Sequence, residues 1–237
     1  MELTLEQPAP LAEAPRIRTA GAKAVVCSDL LHVILDNCTI YNADFRDVLP
    51  RLTCDAIITD PPYGVGVNYG EFVDTPENTI PLVLAMLETG MKMSKRIAMT
   101  PGIRLMWEYP KPTHTGSFYY PAGCGVNPWG FTCWQPIHYY GNDPYAGKGS
   151  RPDSRESVEA AEKNGHPCPK PIKQWTWLVN RASLEGETVC DPMMGSGTTA
   201  IACIRTKRNF IGIEKDKRHF EAACERIRRE QCQGVML

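Results

Sequence analysis

A chain of 237 residues, 43% hydrophobic and 22% charged, has the balance of a single α/β domain with one sizeable core, which excludes extensive disorder. The formal net charge of -1 excludes a molecule whose whole field attracts a polyanion, so any nucleic-acid contact must rest on local basic patches. No run approaches the roughly 18 apolar residues of a membrane span, and the ten scattered cysteines contain no CxxC pair and no zinc-like spacing.

Residues 1–22, rich in Pro, Ala and Glu, are expected to be a mobile tail, with one domain over 23–237. MELTLEQPAPLAEAP lacks the basic start and apolar stretch of a secretory signal, so a cytoplasmic protein with reduced thiols and no membrane contact is expected. TIYNAD (39–44) predicts a strand, DFRDVLPRL a helical turn or two, and CDAIITD (54–60) a buried strand. A helix over 79–93 and a strand over 95–100 follow, and the aromatic, Gly- and Pro-broken stretch 116–141 predicts β structure with long turns. Trp107, Trp129, Trp134 and Tyr139 are expected in the core.

The polar stretch 142–157 predicts an exposed loop whose Lys148, Arg151 and Arg155 are candidate DNA phosphate contacts. Pro171 is placed as the first helical residue of PIKQWTWLVNRA, with Ile172, Trp175, Leu178 and Val179 at helical spacing. ETVCD (187–191) predicts a strand, TTAIACIR a short helix, NFIGIE (209–214) a strand, and 215–230 a helix burying Phe220, Ala223, Cys224 and Ile227. Arg226, Arg228 and Arg229 are expected on that helix's solvated face. Strands alternating with helices predict an α/β fold with a largely parallel, twisted sheet and helices on both faces.

DPMMGSGTTA (191–200) follows a strand and opens a helix, and Glu214 ends the next strand. Glycines there let backbone amides approach a ligand, while the acid can accept from two ribose hydroxyls, which together describe an adenosine-shaped site. The turn lacks a Walker lysine. Asp191 directly before it would repel a pyrophosphate, which disfavours a nicotinamide cofactor and favours the cationic, phosphate-free S-adenosylmethionine.

Asp60-Pro61-Pro62-Tyr63 ends the buried strand. Each proline fixes its own φ and drives its predecessor into extended backbone, so the Asp60 carboxylate and the Pro61 carbonyl become fixed acceptors at a sheet's ligand-binding edge. Such acceptors can draw the delocalised lone pair of a nucleobase amine toward tetrahedral geometry, with Tyr63 as a stacking face for a flipped base.

These motifs resemble the β-type amino DNA methyltransferases: DPPY at 60–63 resembles their catalytic motif, DPMMGSGTT at 191–199 their cofactor motif, and HPCPKP at 166–171 their HPxxKP segment. The similarity runs from about residue 39 to 229. It implies a Rossmann-like SAM-dependent methyltransferase fold acting on double-stranded DNA, without a metal, in a bacterial or phage-type, nucleoid-associated setting. It also implies a homodimer and leaves a restriction enzyme partner open. Asp60, Pro61, Pro62 and Tyr63 would be catalytic. Asp44, His166, Lys170, Asp191, Pro192, Met193, Met194, Gly195, Ser196, Gly197, Thr198 and Glu214 would bind the cofactor, with Asp44 by its adenine, Lys170 and Asp191 at its methionyl end and Glu214 on its ribose. Met193-Met194 departs from the family's usual aromatic, and little chain remains for target recognition, which falls within about 101–157.

Adenine-N6 is preferred as the acceptor, with cytosine-N4 as the alternative. Pro167-Cys168 invites cytosine-C5 chemistry, but the motif order is wrong for that class. Glutamine and RNA amine methyltransferases resemble the chain less, because their NPPY follows the cofactor motif. The reading from another class is a catalytically idle SAM-fold module that binds DNA.

Overall fold

A computed structural model describes residues 29–69, 72–159 and 170–234. The expected tail and the His166 segment lie outside the described residues.

The chain opens with an antiparallel pair, β1 (His32–Leu35) and β2 (Cys38–Asn42), and then Asp44 caps the short helix α1 (Phe45–Val48) by accepting from the Arg46 N–H. Strand β3 (Cys54–Thr59) stops where the two prolines begin. Proline cannot donate to a sheet ladder, so the pairing must end there. Next come the hairpin β4 (Asn68–Tyr69) and β5 (Phe72–Val73), helix α2 (Pro76–Met93) and strand β6 (Ser94–Met99). Helix α2 starts three residues before the sequence expectation, because Pro76 sits in its first turn, where a missing N–H costs nothing.

Four strands follow: β7 (His114–Tyr119), β8 (Gly125–Asn127), β9 (Gly130–Thr132) and β10 (Trp134–Gly141). The stretch read as an exposed loop contains β11 (Ser154–Glu156), which pairs in parallel with β7. Pairing is possible because β7 has an open edge, which local polarity does not reveal. Helix α3 (Ile172–Ala182) has Pro171 as its N-cap rather than its first helical residue. Then β12 (Thr188–Asp191), α4 (Thr198–Arg205), β13 (Asn209–Glu214) and α5 (Lys217–Gly234) complete the alternation.

The main sheet has the order β1-β2-β13-β12-β3-β6-β10-β7-β11, and only β1 and β10 run against the others. Its central strands send alternate residues to two separate cores. Ile40, Ala56, Ile58, Val189 and Phe210 pack under α3, α4 and α5, while Tyr41, Ile57, Cys190, Ile211 and Ile213 pack under α1 and α2. A strand covered on both faces reads as a continuous apolar run, which is why β3 and β13 were plain in the sequence.

The expectation for the tryptophans fails. Trp129 is fully exposed and Trp107 is 83% exposed, and Trp134 is also exposed. Trp129 sits at the tip of the β8–β9 hairpin, which makes only its own two-stranded sheet and reaches no core. Only Tyr139 packs against the core.

Candidate active site

Strand β12 carries Asp191 to the sheet edge, and residues 192–197 turn the chain into α4. Gly195 and Gly197 hold φ of 50° and 75°, left-handed values that cost any other residue strain. With Gly195 so turned, its N–H donates to a carboxylate oxygen of Glu214 at 2.9 Å, while the Asp216 N–H donates to the other at 2.8 Å. Burial outweighs both bonds and pushes the Glu214 carboxyl up to about 7. Asp44, across β2, goes the other way: the Arg46 guanidinium grips both its oxygens, at 2.8 and 2.6 Å, and holds it down at about 2.

Asp191 is only 2% exposed, which sets it back from a direct ligand contact. Its oxygens accept from the Thr59 hydroxyl at 2.7 Å, the Thr199 hydroxyl at 2.5 Å and the Met193 N–H at 3.2 Å. Burial nonetheless raises it to about 6. Thr59 directly precedes Asp60, so this carboxylate bolts the glycine turn to the double-proline corner.

At that corner the Asp60 carboxylate accepts from the hydroxyls of Tyr63 and Thr100, and Lys170 Nζ lies 3.1 Å away. Thr100 is placed by the register of β6 on β3, which pairs Met99 with Thr59. The Tyr63 ring rests on Gly102, where an added Cβ would come within 2.9 Å of it. Its hydroxyl receives Gln135 Nε2 and Lys170 Nζ, the latter at 2.9 Å. Burial, then the charge of Asp60, pushes the Tyr63 phenol far above its ordinary value, so it stays a neutral donor.

The sequence reading missed Thr59, Thr100, Gln135 and Asp74. Asp74, 2% exposed, accepts from the N–H groups of Gly64, Val65 and Val67 and from the Thr79 hydroxyl, fixing the loop that follows Tyr63. None of the four stands in a motif, and each is recruited by a fold contact.

A cavity of about 1020 Å³ joins the two motifs. Asp60, Pro62 and Lys170 line one side of it, residues 191–196 and Thr198 another, and Asp44 and Glu214 close the far end. Lys170, expected at a methionyl end, lines the cavity and bridges Asp60 and Tyr63. Pro61, Tyr63 and Gly197 do not line it. Among the DNA candidates, Lys148 is exposed, Arg151 stacks its guanidinium 3.7 Å over the Tyr145 ring, and Arg155 pairs with Glu159 at 2.7 Å and donates to the Lys173 carbonyl. Arg226, expected on a solvated face, turns inward to donate to the Ser196 carbonyl at 3.0 Å and the Thr198 hydroxyl at 3.1 Å.

Comparison with known proteins gives this geometry a family. A model of N6/N4 methyltransferases, described as DNA methylase, matches residues 99–225, just over half of the chain. The chain belongs to the N6/N4 DNA methylase family. Type II methyltransferase M.HpaI of Haemophilus parainfluenzae is 26% identical over 218 residues, covering 76% of this chain and 69% of that protein. Type II methyltransferase M.BglI of Bacillus subtilis is 35% identical over 71 residues, which span 30% of this chain and only 20% of the relative's length. Among solved structures, the M1.HpyAVI–SAM complex superposes with a TM-score of 0.61 at 22% identity, covering 80% of this chain and 98% of that one. The cytosine-N4-specific PvuII DNA methyltransferase gives 0.63 at 13% identity, covering 81% and 86%. At such identities these two establish the fold. This N6/N4 methylase has the Rossmann-like methyltransferase fold, with a mostly parallel sheet between two helical layers. Among its described residues, no helix is long and apolar enough to cross a membrane.

Proposed function

We propose that this chain is a DNA methyltransferase that uses S-adenosylmethionine to methylate the exocyclic amine of a flipped base in double-stranded DNA, adenine-N6 in preference to cytosine-N4. The observation that carries the reading is the single cavity onto which the acid-proline corner and the glycine turn both open. The pocket's chemistry suits that cofactor. A pyrophosphate would need the Gly195 amide, and that amide is already spent on Glu214. Carboxylates, Asp44, Asp60 and Glu214 among them, line the space together with cations, Arg46, Lys170 and Lys215 among them, a balance that suits a ligand bearing both an ammonium and a carboxylate. When bound, S-adenosylmethionine supplies an electrophilic methyl group.

Glu214 would hold the ribose hydroxyls through its remaining lone pairs, and Met193 and Met194 would pack on the ring as adaptable thioethers. Asp60 and the Pro61 carbonyl accept the two N–H bonds of the target amine, concentrating its lone pair on nitrogen without reorganisation. In the structure the Tyr63 hydroxyl donates to Asp60, so an entering amine would displace it, and a base stacking on the ring would have to displace Lys170 Nζ, which lies 4.9 Å from the ring centroid. A carboxylate at position 60, rather than a neutral hydroxyl, is what favours adenine in this reading.

The test is Asp60→Ala, with cofactor affinity measured by calorimetry and base modification read by sequencing DNA from expressing cells. The variant is expected to keep its affinity within about threefold and to lose transfer by about 10³-fold or more. Full modification in that variant overturns the role of Asp60. A wild-type chain that binds S-adenosylmethionine and DNA yet modifies nothing would instead be an idle binding module.

A further inference from the structure

The double-proline corner is the end point of a buried run of hydrogen bonds drawn from four separate segments. A carboxylate can only accept, so Tyr63 must donate to Asp60. The Tyr63 oxygen then accepts from Gln135 Nε2 on β10. With its amide nitrogen committed, Gln135 presents Oε1 to Tyr120, whose hydroxyl donates at 3.1 Å. The Tyr120 oxygen accepts from Gln174 Nε2 on α3 at 2.7 Å, and Gln174 Oε1 accepts from the Ser157 hydroxyl at 3.1 Å. From Asp60 to Gln174 each orientation forces the next, so neither amide can be turned over; at the far end the Ser157 hydroxyl is shared between Gln174 and the Glu159 carboxylate, 3.2 Å away. Gln135 is 9% exposed, Ser157 4% and Gln174 not at all. Such a buried run holds only while all its members are paired.

The geometry points to Gln135 as the positioning residue of the base site, held by Tyr120 and Gln174: it keeps the Tyr63 hydroxyl anchored once a target amine takes the hydroxyl's place on Asp60. This rests on the methyltransferase reading above. An incoming base takes Asp60 from the Tyr63 hydroxyl, which keeps the Thr100 hydroxyl as an acceptor at 3.3 Å, while the donors from Gln135 and Lys170 stay in place. The ring, backed by Gly102, then keeps one orientation as the stacking face. Without Gln135 the hydroxyl loses one of its two donors and is held by Lys170 alone, so the amine loses alignment, an effect on the chemical step more than on cofactor binding.

Gln135→Leu is expected to lower kcat about tenfold and to raise KM for DNA, with the dissociation constant of S-adenosylmethionine unchanged within about twofold. Gln135→Glu supplies the readout that a merely structural role would not move. An ionised carboxylate would accept from the Tyr63 hydroxyl and draw it from Asp60, whereas a protonated one donates to it as Gln135 does, so the ratio of its kcat to wild type should change with pH. The groups facing position 135 are the Tyr63 and Tyr120 hydroxyls, with Asp60, Lys170 and the Cys124 thiol nearby. In ζ-¹³C-tyrosine-labelled protein without cofactor, Gln135→Leu should also shift the Tyr63 resonance, identified by its loss in Tyr63→Phe.

Wild-type kcat and KM in Gln135→Leu, or a pH-independent ratio in Gln135→Glu, overturns the assignment. Should the leucine variant fail to fold, Tyr120→Phe removes a single oxygen and carries the same expectations at about threefold in kcat. If the wild-type protein binds S-adenosylmethionine and methylates no DNA, the methyltransferase reading falls. The Tyr63 resonance then still decides the anchor.

Discussion

The two sides of the cavity are assembled by different means. On the glycine-turn side, one continuous strand–turn–helix–strand ending at Glu214 supplies most of the groups, with three bonds from backbone N–H groups and the Thr59 and Arg226 side chains reaching in from elsewhere. On the double-proline side, residues 60–63 are only a seat. The groups that orient them, Thr100, Gln135, Lys170 and Asp74, come from separate segments and act through side chains. A site made of local backbone tolerates drift elsewhere in the chain, whereas a site gathered from distant side chains depends on sheet register.

Perturbing each side separately sharpens this contrast. The largest effect on cofactor binding is expected from Glu214→Ala, which removes a charged acceptor from two proposed ribose hydroxyls and should weaken binding about 100-fold in calorimetry. Transfer at saturating cofactor should survive, since the base side is untouched. The same carboxyl gives a pH signature. Because burial raises it to about 7, the proton-bound form prevails below that pH and the better-accepting ionised form above it. Wild-type affinity for S-adenosylmethionine should therefore fall as pH drops below about 7, by up to roughly tenfold per unit. A flat profile from pH 8 to 6 would remove Glu214 from cofactor recognition.

Gly116→Ala tests the register of the other side. An added Cβ would stand 2.0 Å from the Asp153 carbonyl oxygen, so β11 must pull away from β7. Denaturant unfolding should show a loss of about 1–3 kcal/mol, and kcat should fall because Ser157, which follows β11, ends the run to Asp60. Gly197→Ala forces a side chain into φ of 75° and meets the Ala223 Cβ at 3.3 Å. It should cost about 1–2 kcal/mol of stability and weaken cofactor binding, with little change in kcat at saturation. The smallest effect is expected from Lys148→Ala and Arg151→Ala, each lowering the salt slope of DNA binding by about 1 if it meets a phosphate. Unchanged slopes would take that loop out of the interface.

The legibility of the molecule follows the same division. Strands β3, β12 and β13 were plain because both faces are buried and the apolar run is continuous. The glycine turn and its acid were legible because they are near neighbours in sequence. Strand β11 was invisible, since Ser154–Glu156 has no strand-like composition and pairs only because β7 offers an edge. Arg226 looked solvated because helical spacing says nothing about a carbonyl in the glycine turn 30 positions earlier. The exposed Trp129 broke the rule that aromatics go inside, because the hairpin bearing it has no partner layer.

By itself the sequence determined the alternation of strands and helices, the stiff acidic corner and the glycine turn with its acid, because each is set by local φ preferences and short spacings. Only the tertiary structure decided that the corner and the turn share one cavity, that Asp191 serves as the bolt between them through Thr59, and that Tyr63 rests on Asp60 under the hold of Gln135 and Lys170. These are hydrogen bonds between residues as far apart as 132 positions. Sheet order and register alone bring such groups within reach.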